Sequence, residues 1–115
     1  MAGHESVKEF MDDREKLNET VMRYASKNIK RFYSLDTSAY REGGALDKKT
    51  KELLGLVSSF VLRCDDCIMY HLAKCKEVGV TDQELEEALN IGLVVGGSIT
   101  IPHLRRAFKA WEELE

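Results

Sequence analysis

Residues 47–79, DKKTKELLGLVSSFVLRCDDCIMYHLAKCKEVG, read as two helices in succession. Asp47 is a good N-cap, and Leu53, Leu54, Val57, Phe60 and Val61 follow it at helical spacing, so they form the apolar stripe of the first helix. The second helix carries Cys64, Cys67, His71 and Cys75. It is expected to end near Gly79, since glycine readily takes the left-handed conformation that closes helices.

The helical pattern extends in both directions. Upstream, Leu17, Val21, Tyr24, Ala25 and Phe32 fall near one face of a long N-terminal helix, and Ser34 to Gly44 reads as a connection broken by Gly43-Gly44. Downstream, Thr81-Asp-Gln-Glu84 is a capping box ahead of an apolar helix through Leu85, Ala88, Leu89 and Leu93. Residues 93–101 could also form two short strands around Gly96-Gly97, but the capping box favours a helix that stops at the glycines. Ile101, Leu104, Phe108 and Trp111 then line a last helix with Pro102 in its first turn. The expected fold is all-α, about five to six helices, with residues 1–115 forming one domain and no internal repeat.

Composition limits the partners. The chain is 43% hydrophobic and 32% charged, as in a globular protein rather than a disordered one. A net charge of −3, with acidic and basic residues interleaved, gives no electrostatic case for nucleic acid or an anionic membrane. The longest uncharged run, Ala88 to His103, is too short and too interrupted for a membrane span. Residues 1–15 lack the apolar segment of a secretory signal, so a cytoplasmic location is expected. In that compartment a C-x-x-C pair points to redox or metal chemistry rather than a disulfide framework.

Cys64, Cys67, His71 and Cys75 share one helical stripe. A zinc site would need all four ligands within ~2.3 Å of the metal, whereas the two ends of the stripe lie roughly 16 Å apart on a helix. No glycine between 64 and 75 allows a loop to bring them together, so no metal and no cofactor is expected. Cys75 reads as a small buried hydrophobe. The other two sit among Arg63, Asp65 and Asp66, as at a helix start near the surface. There the unpaired N–H groups and the helix dipole favour a thiolate, and residues three apart can join in a disulfide. Helical side chains lean towards the N-terminus, so His71 can reach back to Cys67 and act as its base. On position alone Cys64, nearest the helix start, would be the nucleophile.

Glu52 stands twelve positions before Cys64. The string Glu52-x11-Cys64-x2-Cys67-x3-His71 resembles the signature of the alkylhydroperoxidase D / carboxymuconolactone decarboxylase family, over roughly Tyr40 to Trp111. The resemblance implies an all-helical protein assembled as a homo-oligomer, a trimer or hexamer, that reduces peroxides or small disulfides. It implies that Cys67 is the peroxidatic thiol, that Cys64 resolves it, and that His71 and Glu52 form the proton relay that activates Cys67. A lipoamide or thioredoxin-like dithiol would restore the pair. Spacing alone leaves Glu52 as a solvated first-turn carboxylate, ~18 Å from Cys64 along a straight helix.

This chain has Asp66 where the peroxidase branch often has histidine, and Asp65 and Asp66 oppose thiolate formation by charge. The decarboxylase branch generally lacks the C-x-x-C and acts on a dicarboxylic lactone, for which Arg105 and Arg106 beside His103 could serve as a cationic clamp. A carboxymuconolactone decarboxylase-type lyase and a non-catalytic redox-sensing assembly are therefore the alternative readings.

Overall fold

The computed structural model describes residues 6–114, so the first five residues of the stretch read for a secretory signal lie outside the described range. Six α-helices follow one another: α1 (Val7–Tyr24), α2 (Lys27–Ala39), α3 (Lys48–Val61), α4 (Asp65–Glu77), α5 (Asp82–Gly96) and α6 (Ile101–Glu113). A 3₁₀ turn at Ser98–Thr100 joins the last two, and no strand occurs among the described residues. Among the described residues no helix is long and apolar enough to cross a membrane.

Helices α3 and α4 form the centre, and the turn between them is tightly specified. The Arg63 N–H donates to Phe60 O at 3.0 Å and the Cys64 N–H to Ser59 O at 3.1 Å. With Arg63 in the left-handed region at φ 59°, these two bonds make a Schellman closure of α3. Cys64 then serves both helices. Its N–H closes α3, and its Sγ accepts the Cys67 N–H at 3.2 Å as the N-cap of α4. The far end of α4 closes in the same way around Gly79 at φ 82°, with Val80 N–H donating to Cys75 O at 3.0 Å.

Leu56 and Phe60 of α3 pack with Ile68, Met69, Leu72 and Cys75 of α4, Leu85 and Leu89 of α5, and Ala107, Ala110 and Trp111 of α6. Each fully buried large side chain contributes about 1.5–3 kcal/mol. Val7 and Phe10 bring α1 onto the same core. Polar ties fix the ends. The capping box at Thr81 and Glu84 is present, Lys49 Nζ reaches Glu84 at 3.0 Å, and the Trp111 indole N–H donates to Asp82 Oδ1 at 2.8 Å.

The helix boundaries and the buried faces differ from the apolar stripes in places. The N-terminal helix is two helices, because Ala25 is extended and Ser26 starts α2. Leu17, Tyr24 and Phe32 are exposed at 65%, 86% and 67%, and α2 buries no residue, so that stripe does not face the core of this chain. The connection expected at Ser34 to Gly44 is shortened from its start, since α2 runs to Ala39. On α3 the buried face is Glu52, Leu56, Ser59 and Phe60, which leaves Leu54 53% exposed. On α6 it is Ala107, Ala110 and Trp111, with Phe108 37% exposed.

Gly92 of α5 lies against Phe60. A Cβ there would stand 2.7 Å from Phe60 Cδ2 and 3.2 Å from Cε2. On an exposed helix Gly→Ala would stabilise by about 1 kcal/mol. Here Gly92→Ala is expected to destabilise by about 1–3 kcal/mol through overpacking. Denaturant unfolding of the variant decides the sign.

Candidate functional site

The helical hairpin brings Glu52 to His71. Glu52 sits one turn into α3 and His71 in the second turn of α4, and the tight turn at 62–64 folds the two helices together. His71 Nδ1 and Glu52 Oε1 are 3.2 Å apart, with the residues 8% and 2% exposed. A carboxylate can only accept, so in a neutral ring held by it Nδ1–H donates and the lone pair falls on Nε2. The second oxygen of Glu52 faces Lys48 Nζ at 3.7 Å, one helical turn back.

Three residues that sequence reasoning did not select complete this arrangement. The Tyr40 hydroxyl meets His71 Nε2 at 3.5 Å. Burial, and then the nearby charge of Glu52, push the Tyr40 pKa up, so it stays a neutral phenol that donates to the ring nitrogen. Lys48 Nζ also donates to the Tyr40 carbonyl at 3.0 Å, and so ties both partners of His71 together. Gly55 makes the space. A Cβ there would lie 2.5 Å from Tyr40 Oη and 2.7 Å from His71 Cε1. Lys48 was legible as an i,i+4 partner of Glu52, and Gly55 as a glycine inside a helix pattern. Tyr40 arrives from the C-cap of α2 and leaves no local signal.

Cys64 and Cys67 are joined in a disulfide, with Cα atoms 5.2 Å apart. Cys67 and His71 line one cavity of about 430 Å³, walled by Phe10, Leu17, Phe32, Tyr33 and Tyr70. Arg14 lies over the Tyr70 ring at 3.9 Å, and Asp36 and Asp66 add carboxylates to the lining. Both nitrogens of His71 are engaged, by Glu52 and Tyr40, while the pair is oxidised. Cys75 is fully buried, and desolvation pushes its thiol up to about 12, which makes it inert near neutral pH. Among the described residues no group of three or more His, Cys, Asp or Glu could hold a metal ion.

His103, Arg105 and Arg106 do not line this cavity. Asp65 engages His103 Nδ1 at 2.7 Å and Arg106 Nε at 3.1 Å, which ties the start of α6 to the start of α4.

Residues 28–112 match the carboxymuconolactone decarboxylase family, a wider stretch than the signature alone suggested. A Thermotoga maritima protein of solved structure is 59% identical and superposes with a TM-score of 0.90 over 93% of each chain. A second Thermotoga maritima structure, also 59% identical, has a TM-score of 0.87 over 92% of this chain and 89% of that one. It is described as a protein of this family with a suggested part in the antioxidative response. A Legionella pneumophila member is 28% identical, with a TM-score of 0.85 over 94% of this chain and 96% of that one. Protein 4 of the cox locus of Paracoccus denitrificans is 28% identical over 73% of this chain and 75% of its own length. On this match, and on the helical fold it shares with these relatives, the chain belongs to the carboxymuconolactone decarboxylase family.

Proposed function

We propose that this protein is a thiol-dependent peroxidase, able also to act as a disulfide reductase, in which Cys67 attacks and Cys64 resolves. The observation that carries the reading is the buried Glu52–His71 pair at 3.2 Å, whose imidazole shares a cavity with Cys67. Glu52 holds the ring with its lone pair on Nε2, and once the Tyr40 hydroxyl turns its proton away this nitrogen takes the thiol proton of Cys67. The thiolate then attacks a peroxide oxygen. An S–O bond forms as the O–O bond breaks, the alcohol or water leaves with a proton, and Cys67 becomes a sulfenic acid. The Cys64 thiol condenses with it, forming the S–S bond and releasing water. An external dithiol, lipoamide or thioredoxin-like in type, reduces the disulfide and is itself oxidised. The oxidised pair in the structure corresponds to the state before that reduction. A cytoplasmic setting, where such reductants are kept reduced, suits this cycle.

The lyase alternative is weaker here. A dicarboxylic lactone needs cations facing it, yet Arg106 is bound by Asp65, and in the cavity Arg14 is outnumbered by Asp13, Asp36 and Asp66. A purely redox-sensing assembly would use the same disulfide but would not turn over.

The reading includes a homo-oligomer. Helix α2 exposes Ile29, Phe32 and Leu35, and the end of α5 exposes Ile91, Val94 and Val95 at 62%, 78% and 70%. So much apolar surface on a chain of 13.1 kDa is a surface for further copies. Sedimentation at micromolar concentration is expected to give a trimer or hexamer, and a monomer alone would contradict it.

Peroxide consumption driven by a dithiol tests the activity itself, and the variants test the roles. His71→Ala and Glu52→Gln are expected to slow it, the histidine variant by about 10²-fold or more. Cys67→Ser should abolish turnover. Cys64→Ser should let peroxide oxidise Cys67 once, to a sulfenic acid that climbs to sulfinic acid in excess peroxide. Mass spectrometry after a stoichiometric pulse reads both. Sulfenic acid on Cys64 in the Cys67→Ser protein, with Cys67 inert in the other, would reverse the assignment.

A further inference from the structure

We propose that Tyr40 carries the proton of His71 to solvent through a second cavity that does not contain Cys67. This rests on the relay reading above. The imidazole has one partner on each nitrogen, Glu52 at 3.2 Å on Nδ1 and Tyr40 at 3.5 Å on Nε2. Because the carboxylate fixes a proton on Nδ1, the proton lost by Cys67 arrives on Nε2.

Two routes then lead away from the imidazolium. Departure through Nδ1 to Glu52 leaves the ring as its other tautomer, which would meet the next thiol with an N–H instead of a lone pair. Departure through Nε2 restores the starting state. In that step the Nε2–H bond breaks and the proton forms a bond to Tyr40 Oη, while the original hydroxyl proton of Tyr40 passes to a water or buffer base. His71 returns to neutral with its proton on Nδ1, Glu52 remains a carboxylate and Tyr40 remains a phenol. The reverse sequence resupplies a proton.

The surroundings of Tyr40 fit this task. A polar cavity of about 420 Å³ is lined by Tyr40, Glu52, Lys48, Thr37, Lys74 and Glu77 among others, and neither Cys67 nor His71 is part of its lining. Tyr70 and Asp36 line both cavities, which meet along these two side chains. Substrate and proton thus have different linings, with His71 in the cavity of Cys67 and Tyr40 in the other. Tyr40 acts through His71 and is held there by design of the backbone. Lys48 grips its carbonyl, and Gly55 leaves out the Cβ that would displace its hydroxyl.

The test is dithiol-driven peroxide turnover by the full-length protein at increasing imidazole concentration. The wild type is expected to be insensitive to the buffer. Tyr40→Phe should be about tenfold slower or more in dilute buffer and should recover as imidazole rises, because an external base replaces the missing hydroxyl. Adding Thr37→Trp, which fills the second cavity away from Cys67, should abolish that recovery. Recovery by imidazole also shows that the variant is folded. Full activity of Tyr40→Phe in dilute buffer, a loss that no imidazole restores, or recovery that survives Thr37→Trp would each overturn the proposal while leaving the relay in place. Absence of peroxide turnover in the wild type would instead remove the relay reading, and this proposal with it.

Discussion

The buried hydrogen bond between Glu52 and His71 constrains the rest of this molecule. A carboxylate that is 2% exposed cannot stand without partners, and here they are the imidazole and, at 3.7 Å, the Lys48 ammonium. Such groups seldom improve stability over a well-packed apolar pair, whereas removal of the donor that satisfies a buried carboxylate costs about 1–3 kcal/mol or more. Placing the pair at the α3–α4 seam commits the sequence to a particular rotation of α3. Glu52 turns inward with Leu56, Ser59 and Phe60, and Leu54 is carried to the surface. The chain surrenders an apolar contact there and gains an imidazole held by a carboxylate. That exchange is the physical reason to read the seam as chemical rather than structural.

The turn that precedes α4 serves the same end. Cys64 completes the closure of one helix with its N–H and caps the next with its sulfur, so the sulfur sits at the hairpin corner by backbone necessity. Cys67, one turn on, points to the cavity that His71 also lines. Asp65, between them in sequence, is drawn away to His103 and Arg106, which partly offset its charge near the sulfurs. Asp66 keeps its place on the cavity. The acidic pair that looked uniformly unfavourable in sequence is thus split into one neutralised member and one exposed one.

The elements were legible because their punctuation is local. Asp47, the Thr81–Glu84 box, Gly79 and Pro102 mark helix ends by hydrogen bonding and backbone conformation, and all act where expected. Faces were less legible. Period counting assigns apolar residues to the inside, and it fails on α3, where a carboxylate is buried, and on the N-terminal stripe, which is exposed on this chain. Of the site, the two cysteines and His71 announced themselves by spacing on one helix. Glu52 required the resemblance, because its approach to His71 depends on the hairpin. Tyr40 left no signal at all, since its contact is made between residues 31 positions apart in sequence.

The central claim is that Glu52 holds His71 with its proton on Nδ1 and its lone pair on Nε2. Long-range nitrogen–proton NMR of the isotope-labelled, reduced protein, with Glu52→Gln and His71→Ala spectra to assign the signals, reads this state directly. The account predicts that the His71 ring carries its proton on Nδ1 and leaves Nε2 bare. A ring protonated on Nε2 and bare on Nδ1 would contradict it, because that imidazole would offer Cys67 a donor in place of a base.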